Sequence, residues 1–85
     1  MYGGIIRDLM RGWKNEAKVK YIVPYRLYRA NNEYNDAKYK LTICTNHPGP
    51  FIGMRGALVE KYREKIAEVV KNKVHIEFVE TTDIV

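Results

Sequence analysis

The stretch Pro48-Gly49-Pro50-Phe51-Ile52-Gly53-Met54-Arg55-Gly56 stands between an apolar, strand-like run, Leu41-Thr42-Ile43-Cys44-Thr45, and a long amphipathic segment, residues 57–71. It reads P-G-x-x-I-G-x-x-G. A Gly-x-x-Gly turn has no Cβ at either end, so its backbone can approach another chain closely and can take positive φ. Where such a turn opens a helix, the first N–H groups lack intrahelical partners, and the helix end carries partial positive charge. The combination makes a cradle for a phosphate.

Outward from this stretch, the period of the apolar residues changes several times. Ile5, Ile6, Leu9, Met10, Trp13 and Ala17 form a helical stripe, with Arg7, Asp8, Arg11 and Lys14 on the other side. Over residues 18–29 the period becomes two, which predicts a strand with Val19, Tyr21, Val23, Tyr25 and Leu27 inward; Pro24 marks an edge or a bulge. Residues 31–36 are a polar turn region. Residues 38–45 predict a second strand, with Tyr39, Leu41 and Ile43 inward and Lys38, Lys40 and Thr42 outward. The two strands are expected to form a hairpin. After a short helix at residues 49–52, Leu58, Val59, Tyr62, Ile66, Val69 and Val70 mark a further helix ending at Asn72. Val74, Ile76 and Phe78 then alternate with His75, Glu77 and Val79 in a third strand, and residues 81–85 are a tail. The order αββααβ predicts an α+β two-layer sandwich, a three-stranded sheet with helices on one face.

Whole-chain properties narrow the function. Eighty-five residues form one domain, residues 1–85, with a small core. A single cysteine, Cys44, excludes an internal disulfide, and with His47 and His75 it gives no metal-ligand spacing. No Ser-His-Asp, Cys-His or P-loop spacing occurs, so neither an enzyme nor a cofactor is expected. There is no signal-peptide pattern and no run long enough to span a membrane, which predicts a cytoplasmic protein. The net charge is +5, and residues 1–45 carry it, with nine Lys/Arg against four acids; residues 46–85 hold six of each. The first half can attract a polyanion at long range, or it can simply be a solvated basic face.

The element order, with G-x-x-G between paired helices, resembles a type II KH domain. The P-G-x-x-I-G-x-x-G stretch, Leu58-Val59-Glu60-Lys61-Tyr62-Arg63 and Val74-His75-Ile76-Glu77-Phe78-Val79-Glu80 are similar to the KH domain of the small-subunit ribosomal protein located where messenger RNA enters. That protein carries a second domain, and the family often has two cations in the turn, where this chain has Met54 and Arg55. A stand-alone or excised KH-like domain is therefore expected.

The resemblance implies binding of single-stranded RNA, with Gly53, Met54, Arg55 and Gly56 as the clamp on a backbone of about four nucleotides. It also implies an apolar groove floored by Ile52 and Val59. The strand of residues 74–79 would be its far wall, His75 a stacking group, and Lys71 and Lys73 phosphate contacts at its end. For each there is a plainer reading: a helix–helix turn, core residues, an exposed strand histidine, solvated lysines. Lys20, Arg26, Lys38 and Lys40 are expected to share the sheet's outer face, as a second phosphate track or as solubilising residues. Tyr21, Tyr25 and Tyr39 are expected in the core, and Tyr28 and Tyr34 near the loop. Cys44 is expected to be a small buried residue, and Trp13 structural. Other readings left open are a protein-interaction or ribosome-associated module and single-stranded DNA binding.

Overall fold

A computed structural model describes residues 3–30 and 37–80 of the chain. The elements are helix α1 (Gly3–Glu16), strand β1 (Tyr25–Arg29), strand β2 (Tyr39–Cys44), the single-turn helix α2 (Gly49–Ile52), a 3-10 turn (Met54–Gly56), helix α3 (Ala57–Val70) and strand β3 (Val74–Val79). This is the αββααβ order of a type II KH-like fold. The sheet order is β1-β2-β3, antiparallel between β1 and β2 and parallel between β2 and β3. The 31–36 turn region with Tyr34, and the 81–85 tail, lie outside the described residues. Among the described residues, no helix is long and apolar enough to cross a membrane.

The register divides the sheet into two faces. Toward the helices lie the cross-strand rows Tyr25, Ile43, Phe78 and Leu27, Leu41, Ile76, then Arg29, Tyr39, Val74. Leu41 and Ile43 on the central strand are fully buried. The opposite face carries Tyr28, Lys40, His75 and Arg26, Thr42, Glu77, with Cys44 beside Val79.

The core is organised by Trp13, which is fully buried. Its ring stacks on Tyr62 of α3 at 5.3 Å between centroids. It also meets Phe51 of α2 and Phe78 of β3 edge-on, at 5.9 and 6.3 Å. Its indole N–H donates to the Phe51 carbonyl at 2.9 Å. One side chain thus fixes α1 to two helices and a strand. The stripe read from the sequence holds at Ile6, Met10 and Trp13, whereas Ile5 is exposed.

The strand expected over residues 18–29 is confined to Tyr25–Arg29. Lys18 reverses the chain with φ 60°, and the N–H groups of Ala17, Lys18 and Val19 bond back to carbonyls of α1. Pro24 has no N–H, and pairing begins with its carbonyl, which accepts from Cys44. Tyr21 and Tyr25 are therefore exposed rather than core, and Tyr39 is half-buried. Tyr21 is still tethered, because its hydroxyl lies 2.8 Å from Oγ1 of the buried Thr45. Helix α3 ends at Val70, two residues before Asn72, with Lys71 as a left-handed cap at φ 61°.

The outer sheet face differs from a row of solvated cations. Lys20 lies outside the strands. Lys40 is buried, and its ammonium meets Glu77 at 2.9 Å, one step diagonally across the β2–β3 pairing. The Arg26 guanidinium lies over the Tyr28 ring at 5.3 Å. Cys44 is half-buried on this face rather than enclosed in the core.

Glu16, at the end of α1, accepts hydrogen bonds from the Tyr62 hydroxyl and from Lys61. The Tyr62 bond and then the Lys61 bond hold the Glu16 carboxyl below its ordinary range. Burial, and then the Glu16 carboxylate, push the Tyr62 phenol from 10.0 up to about 12. The phenol retains its proton longer when folded, so its contribution is complete below pH 10 and is lost as pH rises through about 12. Glu16 acts oppositely: its contribution is present above the ordinary carboxylate range and fades as pH falls through its lowered folded value.

Two expected outcomes test this core. Trp13→Phe keeps an aromatic ring but removes the donor to the Phe51 carbonyl. It should cost about 1–3 kcal/mol for the orphaned acceptor, with a cavity term in addition, read as a lower urea midpoint at unchanged slope. In a spectrophotometric alkaline titration, the tyrosine transition near pH 12 should be missing from Tyr62→Phe, while the Trp13 stack is kept.

Candidate nucleic-acid interface

The turn between α2 and α3 is built from local constraints. Pro48 sits at the start of α2 with φ −71°, and its carbonyl accepts from the N–H groups of Phe51 and Ile52 at 2.9 and 3.0 Å. Phe51 points into the core, where Trp13 holds its carbonyl, and Ile52 is left 36% exposed. Gly53 closes α2 by donating to the Gly49 carbonyl at 2.9 Å. Its φ of 75° and ψ of −178° belong to a region open essentially only to glycine. A Cβ there would lie 2.7 Å from the Leu58 Cβ and 3.1 Å from the Leu58 nitrogen. The first glycine is thus required both by the backbone conformation and by the close approach of α3.

The second glycine is required by conformation alone. Gly56 has φ 77°, and a Cβ there would meet nothing nearer than Val59 Cγ1 at 4.0 Å. Arg55 precedes it at φ 56°, so two consecutive residues are left-handed. The Gly56 N–H donates to the Gly53 carbonyl at 3.2 Å and the Ala57 N–H to the Met54 carbonyl, which closes the turn on itself. No side chain caps the start of α3. Met54 is 84% exposed, and Arg55 is exposed without an ion pair among the described residues. Glu60, the acid in the first turn of α3, is engaged by Arg63.

The sequence-predicted site residues divide into three groups. Ile52, Gly53, Met54, Arg55, Gly56 and Val59 gather at the start of α3. Lys71 and Lys73 are exposed at its far end, about 20 Å away for a helix of this length. The Lys73 carbonyl accepts from the N–H groups of Lys38 and Tyr39, which places it at the start of β2. His75 stands across from Lys40 on the helix-free face of the sheet, apart from the turn. Sequence reading missed the Lys40–Glu77 pair, which needs the parallel register. Among the described residues, no group of three or more His, Cys, Asp or Glu is placed to hold a metal.

The fold and turn define the class: a KH-like α+β domain with a glycine-bounded turn at the head of a helix. No family model matches the chain. No solved structure matches it. Over 75 residues, 88% of this chain, it is 31% identical to small ribosomal subunit protein uS3 of Cereibacter sphaeroides and 32% identical to uS3 of Roseobacter denitrificans. Over 70 residues, 76% of this chain, it is 34% identical to uS3 of Phenylobacterium zucineum. The chain spans 28% of the length of each of these relatives.

The two glycines should respond differently to substitution. Gly53→Ala meets both a forbidden conformation and a clash, and should cost more than the roughly 1–3 kcal/mol of backbone strain alone. Gly56→Ala should cost only the left-handed penalty, about 1–2 kcal/mol. Parallel urea unfolding curves measure the difference, and equal losses would show that the Leu58 approach is not limiting.

Proposed function

We infer that residues 1–85 act as a single KH-like domain that binds single-stranded RNA without catalysis. The observation that carries this reading is the exposed turn of residues 53–56. The start of α3 has no side-chain cap, so its first turn faces outward with its dipole, and Arg55 stands beside it without an ion pair among the described residues. A phosphate at this point would meet amide dipoles and one guanidinium. Ile52 and Val59 then provide apolar surface next to the clamp on which a base can rest. Lys71 and Lys73 offer cations to a strand that follows α3 to its other end. His75, on the other sheet face, would need a strand that wraps the β3 edge.

The similarity to uS3 supports RNA as the ligand and association with the small ribosomal subunit as the setting. Single-stranded DNA is the alternative for the same groove, because the helix start and Arg55 address the phosphate and not the sugar.

The decisive variant is Met54→Asp with Arg55→Asp. Both side chains are exposed, and aspartate tolerates the left-handed position better than most residues, so the fold should persist. Two carboxylates would then occupy the phosphate position. With a labelled ten-nucleotide RNA, the parent should bind weakly and with a salt slope near −0.7 per neutralised phosphate. The double variant should lose at least about tenfold in affinity, or roughly 1.4 kcal/mol. Undiminished RNA binding by the folded variant would remove the turn from the site, and equal binding of the matching DNA strand would remove the preference for RNA.

A further inference from the structure

Helix α1 has two flanks of different character. One packs on α3: a Cβ at Gly12 would lie 3.2 Å from the Tyr62 hydroxyl, and Glu16 receives Tyr62 and Lys61. The other carries Arg7, Arg11 and Lys14 at i, i+4 and i+7, a cationic row about 10 Å long. This row rims a pocket of about 210 Å³ on the far side of α1 from α3. Met10 and Phe51, both buried, form its floor, and Ile22, Val23 and Tyr25 form the facing wall.

Two observations set this pocket apart from an ordinary surface crease. None of the three cations has an ion-pair partner among the described residues, whereas Lys40, Lys61 and Arg63 are paired. Ile22 is 87% exposed at the rim. An isoleucine so placed adds nothing to the core, and it extends the apolar wall outward from Val23.

We propose that this pocket docks an acidic peptide segment of a protein partner, one large apolar side chain entering between Met10, Phe51 and Ile22 while flanking carboxylates meet Arg7, Arg11 and Lys14. Charge complementarity selects an anionic partner. The apolar lining selects a peptide over a phosphodiester strand. Such a strand would use the cations but leave the floor wetted and unfilled, and the floor and wall have no amide or carboxylate to read a base edge. The volume is smaller than a drug-sized site and suits a single anchoring side chain. The site is separate from the turn of residues 53–56 and does not depend on RNA binding there.

The test is an NMR titration of the isotope-labelled chain with an acetylated peptide, Glu-Asp-Glu-Leu-Asp-Glu-Glu, up to about 1 mM, the range in which a single-anchor contact is measurable. Amide shifts should move at residues 7–14 and 22–25 and stay fixed at residues 53–56. Affinity should fall at least about fivefold for the peptide with Ser in place of Leu, for Arg7→Glu with Arg11→Glu, and for Ile22→Asp. These are exposed positions, and the amide spectrum of each variant verifies its fold. Met54→Asp with Arg55→Asp should leave peptide binding unchanged, so the pocket and the RNA groove stand or fall separately. The proposal is overturned by an absence of shifts, by equal binding of the Ser peptide, or by shifts centred on residues 53–56. Displacement of the peptide from residues 7–14 and 22–25 by a ten-nucleotide RNA would also overturn it, assigning the pocket to nucleic acid.

Discussion

The hydrogen bond from the Trp13 indole to the Phe51 carbonyl is the constraint on which the rest depends. It joins α1 to α2 at a point two residues before Gly53. Because α2 is a single turn, it has little stability of its own, and its direction is set by what holds it. Trp13 and the Phe51 ring hold its inner side. The chain leaving α2 therefore enters the 53–56 turn with a defined heading. The rings of Tyr62 and Phe78 complete the enclosure of Trp13. The shape of the exposed turn follows from a residue in the middle of the core.

Phe51 also links the two surfaces that carry functional readings. Its carbonyl and ring belong to the core beneath the glycine turn, and one side of it forms part of the floor of the α1 pocket. The turn presents the uncapped start of a helix and one cation, which suits phosphate. The pocket presents side-chain cations around apolar walls, which suits a carboxylate-bearing peptide. Both are cationic but of different chemistry, and the net charge concentrated in residues 1–45 serves the second more directly than the first. The outer sheet face, by contrast, has its central lysine engaged by Glu77 and one arginine laid over a tyrosine.

Much of this was legible in the residues. The stripe Ile6, Met10, Trp13, the strand of residues 74–79 and the glycine turn are local patterns, and the structure follows them. The strand expected through residues 18–24 failed because its alternation was real but its backbone was not available. The chain there is still leaving a helix, at Lys18, and Pro24 lacks a donor. Tyr21 and Tyr25 lost their core positions with it: Tyr21 precedes the strand, and Tyr25 stands at its exposed beginning. The partner of Lys40 was beyond reach because it depends on how two strands distant in sequence come into register. The three cations of α1 were visible as one face, but the wall opposite them was read as strand. His75 could have been separated from the groove by parity alone, since its neighbours Val74 and Ile76 point inward.

The parallel pairing of β2 and β3 has a kinetic side. Two parallel neighbours cannot be joined by a tight hairpin, and here the connection runs through α2, the glycine turn and the whole of α3. Strand β3 has no partner until that connection has folded back on itself. Its pairing thus carries the loop-closure entropy of residues 45–73, whereas β1 and β2 meet across a much shorter span. The glycines that shape an exposed turn also lie on the route by which the last strand finds the sheet. A residue there that hinders the reversal acts on the assembly of the domain as well as on its surface.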